Sequence, residues 1–392
     1  MSESAENDGK ITCQIDGARV HTILGHIKDH HPDWTLERYK AEFPGAPLMS
    51  EKAKAIAQRK LAERKAAESG GAITMSEDTK KPFHEVFSLG EVPAAMSKRG
   101  TPIMITVRGG LSEKAQALVP DVDENYVFNI ELTKTGLMAL ELNMPAYFWG
   151  YHGTGKTTAW EQICARTNTP FMRVQHTINT EEAHIIGQFI VKSGEHGPET
   201  VFNLGPLAIA MKEGYVYCAD EYDFAMPSVL SVYQPVLEGK PLVIKDAPPE
   251  FRVIRPHPNF RFVATGNTNG GGDETGLYQG TQLQNAANYS RFGIVEEVGY
   301  MEPKIESAII AGQAKIDRTA AEKLVTFAND VRTAFKGGRV GSTISPRELI
   351  NAAKLGRVRG SDWKGGLKLA YSGRLSRVDK EVIDQFAQRV FG

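Results

Sequence analysis

The sequence predicts an α/β protein: a parallel sheet carrying a phosphate-binding loop, with a helical C-terminal portion and a small finger-like module at the N-terminus. Three observations predict it. Gly150-Tyr-His-Gly-Thr-Gly-Lys-Thr157 fits the phosphate-loop pattern G-x-x-x-x-G-K-[ST] without a mismatch. Over residues 126–300, short apolar runs alternate with helix-patterned stretches, as in a parallel sheet covered by helices. From Pro303 onward the apolar residues recur only at helical spacing.

Residues 1–50 form a small His-rich module. Cys13-Gln-Ile-Asp16, followed by His26 and His30-His31, has the spacing of a two-Cys, two-His finger with Asp16 in place of the second cysteine. Zinc accepts thiolate, imidazole and carboxylate, so Cys13, Asp16, His26 and His30 (or His31) are its candidate ligands. The competing expectation is a metal-free helical mini-domain held by Ile15, Val20, Ile23, Leu24, Ile27, Trp34 and Tyr39. Thr35 and the residues after it read as a capped helix.

Residues 51–84 read as a linker. Their first part, 51–68, is rich in Ala, Lys, Glu and Arg with only Ile56 and Leu61 large and apolar, which predicts a solvated helix. A polar stretch, 69–81, follows. Residues 85–125 form a pre-core segment in which 104–107 is a candidate strand.

The core is expected over 126–302, with strands at 146–149, 171–174, 215–219, 260–264 and 294–298. The first ends in the phosphate loop and a helix follows, the context such a loop requires. Its glycines let backbone N–H groups converge on phosphates, and the helix N-terminus adds partial positive charge. Lys156 then reaches the outer phosphates of a nucleoside triphosphate, and the Thr157 hydroxyl holds Mg²⁺. The third strand ends in Asp220-Glu221, which predicts a metal-side carboxylate in Asp220 and a water-activating one in Glu221. The fourth ends near Asn267, an amide suited to holding the attacking water. Arg291 precedes the last strand and could reach a neighbouring subunit's nucleotide, while Ser345-Pro346-Arg347 opens a helix and aims a second cation back at the site.

Residues 303–392 predict a helical lid, with Leu324, Phe327, Ala328, Val331 and Phe335 on one helix face and Val382, Ile383, Phe386, Val390 and Phe391 on another. Bulk composition narrows the classes of function. The 392 residues are 41% apolar and 24% charged with a net charge of −1, which speaks against a surface that grips nucleic acid throughout. No apolar run approaches the ~20 residues of a membrane span. The acidic, polar N-terminus and three scattered cysteines point to a cytoplasmic setting without a secretory signal.

In this order these features resemble an AAA+ ATPase. Gly150–Lys156, Asp220-Glu-Tyr-Asp223, Arg252-Val-Ile-Arg-Pro-His-Pro258, Thr265-Gly-Asn-Thr268 and Gly272–Gln282 resemble, more narrowly, the CobS-type ATPase subunit of aerobic cobaltochelatase within the MoxR-like branch. The resemblance covers about 120–370. It implies the AAA+ sheet order, a ring (usually a hexamer) and ATP with Mg²⁺ at subunit interfaces. Gly150, His152, Gly153, Thr154, Gly155, Lys156, Thr157 and Thr158 would bind nucleotide, with Thr157 and Asp220 on Mg²⁺. Glu221, Asn267, Arg291 (in trans) and Arg347 would serve hydrolysis. Residues 184–203 match a hairpin inserted in this branch, with Phe189 and Phe202 flanking a turn at 193–197. The implied partners are a von Willebrand A-domain protein of the CobT kind and a large chelatase subunit. A MoxR-like ATPase that remodels a different client is the alternative. Neither a membrane nor nucleic acid is expected as a partner.

Overall fold

A computed structural model describes residues 9–54, 77–194 and 197–392. Most of the expected helix at 51–68, most of the polar stretch at 69–81 and the middle of the hairpin turn at 193–197 lie outside the described residues. The chain divides into two compact units, residues 1–75 and 76–392.

Over residues 11–42 the first unit is a ββα arrangement followed by a second helix. β1 (Ile11–Thr12) pairs antiparallel with β2 (Arg19–Val20), and α1 (Ile23–His30) and α2 (Leu36–Glu42) follow. The Thr35 hydroxyl caps α2 by accepting from Arg38 N–H at 3.2 Å. Cys13, Ile23, Ile27 and Tyr39 are buried, with Ile15, Val20 and Trp34 packed against them. Leu24, expected in this core, is 59% exposed: α1 buries the Ile23/Ile27 stripe, and Leu24 faces away from it.

In the second unit β3 (Thr79–Pro82) pairs with β4 (Met104–Val107), ahead of α3 (Ile130–Glu141). The central sheet contains β5 (Ala146–Trp149), β6 (Phe171–Gln175), β9 (Val216–Asp220), β12 (Arg261–Gly266) and β13 (Ile294–Glu297). It is wholly parallel, in the order β13-β5-β12-β9-β6. Val216–Asp220 is buried throughout, which is why these strands read as unbroken apolar runs. α4 (Lys156–Arg166) packs Trp160 on Phe148, ring centroids 4.3 Å apart. The register sets Trp149 beside Gly266 and Gln175 beside Asp220, so the strands' C-terminal ends open along one edge.

β7 (Gly187–Gly194) and β8 (Gly197–Leu204) form the inserted hairpin, in which Phe189 faces Phe202 across the ladder. α5 (Pro206–Glu213) leads from it into β9, and a short pair, β10 (Leu242–Val243) with β11 (Val253–Ile254), follows. The rest is helical: α6 (Pro303–Ala314), α7 (Arg318–Lys336), α8 (Pro346–Val358), α9 (Trp363–Ala370) and α10 (Arg377–Phe391). They enclose a separate core in which Leu324, Phe327, Ala328, Val331, Ile383 and Phe386 are buried, while Phe335, Val382, Val390 and Phe391 pack at its margin. A bidentate pair of Arg332 with Glu306, both contacts 2.7 Å, ties α7 to α6 inside this core.

Candidate active site

The phosphate loop leaves β5 at Gly150 and enters α4 through Gly155. Gly155 has φ +87°, a left-handed conformation that glycine adopts without a Cβ penalty. A side chain on Gly150 (φ +141°) would drive its Cβ to 2.5 Å from the Val298 carbonyl. The first N–H groups of α4 have no partner within the helix and face the loop's concavity, as an anion site needs. Thr154 spends its hydroxyl on the Tyr151 carbonyl at 2.8 Å and so stiffens the loop. His152 is held by Tyr278, whose hydroxyl lies 3.0 Å from the His152 backbone nitrogen and 3.2 Å from Nδ1. Burial, then Lys156, Arg374 and Arg347, pushes its imidazole pKa down.

One polar cavity is lined by His152, Gly153, Gly155, Lys156, Thr157 and Thr158 from the loop, and Asp220, Glu221, Asn267 and Arg347 complete it. The structure therefore brings together every residue expected at the nucleotide except Gly150 and Thr154, which shape the loop behind, and Arg291. Lys156 Nζ donates to the Gly150 and Tyr151 carbonyls at 2.7 and 2.8 Å and to Asn267 Oδ1 at 3.2 Å. Burial lowers its pKa to about 8, against the pull of Asp223, Asp220 and Glu221. Thr157 Oγ1 donates to Asp220 Oδ1 at 2.7 Å, and Thr265 donates to the same oxygen. A hydroxyl beside an ionisable carboxylate, next to phosphate donors, is a suitable donor set for Mg²⁺.

Glu221 sits one residue past the strand with φ 51° and ψ 42°. A non-glycine residue in this left-handed region is strained, and such strain concentrates at functional positions. Its carboxylate accepts from Gln175 Nε2 at 2.9 Å. Arg347 opens α8, where Ser345 and Glu348 form a reciprocal capping box and Pro346 takes the first turn. Arg291 lies outside the cavity, its Nε 2.7 Å from Glu238 Oε1.

Sequence reasoning missed three residues that hold this site. Arg173 Nε meets Asp220 Oδ2 at 2.7 Å and so offsets the buried carboxylate's charge. Gln175 restrains Glu221. Asp223, fully buried, accepts from Asn267 N–H, Thr268 N–H and Thr268 Oγ1 at 2.9, 2.8 and 2.8 Å, and so sets the turn that presents Asn267. The D-E-x-D spacing was a visible signal for Asp223. The first two lie on β6, whose local sequence carries no such sign.

In the N-terminal unit, Cys13, Asp16, His26 and His31 bring their ligand atoms within 4.8 Å of one another. Of the two candidates for the fourth ligand, His31 belongs to this group and His30 is outside it. His30 continues α1 and is exposed, with its ring centroid 4.8 Å from that of His26. His31 ends the helix with φ −133° and ψ 66°, which turns its Nε2 to 3.0 Å from Asp16 Oδ2.

Residues 147–292 match the AAA domain family of the dynein-related subfamily, and 306–383 match the CbbQ/NirQ/NorQ C-terminal family. The chain is 36% identical to the aerobic cobaltochelatase subunit CobS of a Sinorhizobium species over 287 residues, 71% of this chain and 85% of that one. It is 30% identical to an uncharacterised protein of Staphylococcus haemolyticus over 238 residues, 60% of this chain and 86% of the other. Among solved structures, the Thermotoga maritima RuvB Holliday junction branch migration motor aligns at TM-score 0.39 and 17% identity, covering 69% of this chain and 72% of that one.

Proposed function

The chain belongs to the CobS-type, MoxR-like AAA+ ATPases, and from that premise we propose that it hydrolyses Mg-ATP at the interfaces of a ring and uses the energy to drive metal insertion by a cobaltochelatase-type complex. The observation that carries this reading is the convergence of Lys156, Thr157, Asp220, Glu221, Asn267 and Arg347 on one cavity at the C-terminal edge of the sheet. Lys156 and the loop's N–H groups would bind the phosphates, with Thr157 and Asp220 on the metal side. Bound Mg²⁺ supplies charge neutralisation at the transferring phosphoryl group. Glu221 would take the proton of the attacking water once Gln175 releases it, and Asn267 would orient that water. Arg347 would close the lid over the nucleotide.

The ring would be a hexamer, in which Arg291 leaves Glu238 to reach the neighbour's nucleotide. Mixing Arg291→Ala with Glu221→Gln subunits tests this. If Arg291 acts in trans, an interface pairing an intact Glu221 subunit with an intact Arg291 neighbour restores turnover, whereas mixtures as inactive as either parent contradict it. The partners would be a von Willebrand A-domain protein and a large tetrapyrrole-binding subunit, all in the cytoplasm. Capture with ATP-loaded Glu221→Gln from the native cell separates the readings: those two partners support cobalt chelation, and another client with neither of them supports the MoxR-like alternative. The N-terminal unit would take zinc as a further cofactor through Cys13, Asp16, His26 and either His30 or His31.

A further inference from the structure

Two histidines, His30 and His31, compete for the fourth position of the N-terminal site, and the donor-atom geometry favours one of them. We propose that His31, not His30, completes a Cys-Asp-His-His site, and that the zinc bound there is what holds the N-terminal unit folded. This rests on the reading that the unit takes zinc at all.

The turn between β1 and β2 builds half of the site. Gly17 N–H donates to the Cys13 carbonyl at 2.9 Å and Cys13 N–H to the Ala18 carbonyl at 2.8 Å, which folds the Cys13 thiol and the Asp16 carboxylate to one side. α1 and its C-terminus supply the other half. His26 Nε2 and His31 Nε2 lie 2.8 and 3.0 Å from a single oxygen, Asp16 Oδ2. Two imidazole nitrogens and a thiol gathered on one carboxylate are four donors of the types zinc accepts. Tetrahedral zinc with bonds of about 2.0–2.3 Å keeps its ligand atoms roughly 3.3–3.8 Å apart. The present spacings, 2.8 Å at the closest and 4.8 Å at the limit, bracket that range, so side-chain adjustments suffice. His30 lies outside the group whose ligand atoms fall within 4.8 Å of one another, although its place one turn after His26 on α1 sets the two rings side by side.

The size of the unit supplies the second half of the argument. Among its described residues the elements named above run from Ile11 to Glu42, a bridge joins Thr22 to Met49, and helix resumes at 51–54. Below roughly 70–80 residues a single core seldom suffices, and such units often add a metal, disulfides or a partner. Among the described residues four buried apolar side chains form the core, and Cys13 is one of them. Cys13 is a free thiol, so no disulfide supports the unit. A metal that binds the folded but not the unfolded arrangement contributes its binding free energy to folding.

The test uses the full chain, stripped with a chelator and titrated with zinc. Metal per chain is measured after desalting, and amide hydrogen exchange is followed across 11–50. The expected result is one zinc per chain in the wild type and in His30→Ala, none in His31→Ala or Cys13→Ser, and exchange across 11–50 slowed at least tenfold by zinc. Zinc retained in His31→Ala and lost in His30→Ala overturns the ligand set. Zinc bound with exchange unchanged overturns the folding role and leaves the zinc reading standing. No zinc in the wild type overturns the zinc reading itself. Exchange in the stripped wild type needs no variant, so a misfolded mutant cannot decide the outcome.

Discussion

Raising the pH above 8 should weaken nucleotide binding by an amount that Lys156 sets. Burial lowers this ammonium to about 8, and the three acids near it only partly offset the effect. At pH 7 about nine-tenths of the free protein carries the charge, and at pH 9 about one-tenth does. Phosphates favour the charged form, so the bound protein holds the proton to higher pH than the free one does. Affinity is then full below pH 8 and falls roughly tenfold per unit above it, until the bound lysine also titrates. Between pH 7 and 9 the loss should be about tenfold, or about 1.4 kcal/mol. His152 does not blur the window, because its pKa is lowered and its ring is already neutral at the start. Isothermal titration at pH 7–9.5, in two buffers of different ionisation enthalpy, reads both affinity and proton uptake. Uptake should rise toward one proton per nucleotide near pH 9. Affinity flat to pH 9.5 with no uptake would refute the placement of a depressed lysine at the phosphates.

The remaining predictions address residues that act around the nucleotide. Gln175→Ala removes one hydrogen bond to Glu221, worth about 1 kcal/mol, and should raise basal ATP turnover by up to about fivefold; slower turnover would mean that Gln175 orients the carboxylate productively. Asp223→Ala strands the Asn267 and Thr268 N–H groups at about 1–3 kcal/mol each, so turnover should fall further than ATP affinity, as a comparison of kcat with binding will show. Arg332→Ala leaves the Glu306 carboxyl buried without its partner, and should destabilise the helical portion by about 3–5 kcal/mol in urea unfolding followed by circular dichroism; a change under 1 kcal/mol would contradict the pair's role.

Legibility followed the range of the interactions. The five central strands could be read because a parallel sheet buried on both faces makes each strand an apolar run, and because the phosphate loop tolerates few residue types. Asp220, Glu221 and Asn267 stand at strand ends, where apolar periodicity breaks in favour of a polar residue, and Lys156 follows the last glycine of the phosphate loop. Their neighbours could not be read. Gln175 and Arg173 meet acids on β9 only because β6 pairs with β9 in one register, and nothing near them in sequence announces it. His30 and His31 were equivalent by spacing, and the choice between them depends on where α1 stops. Leu24 was misplaced because one short helix over a small core buries a single narrow stripe.

Glu221 as the base of an ATP-hydrolysing site is the role on which the others depend, and a single comparison decides it. Purified Glu221→Gln and wild-type protein are measured side by side for ATP binding and steady-state hydrolysis. The account predicts near-equal binding with turnover lower by roughly 10² or more. Unchanged turnover at equal binding would contradict it.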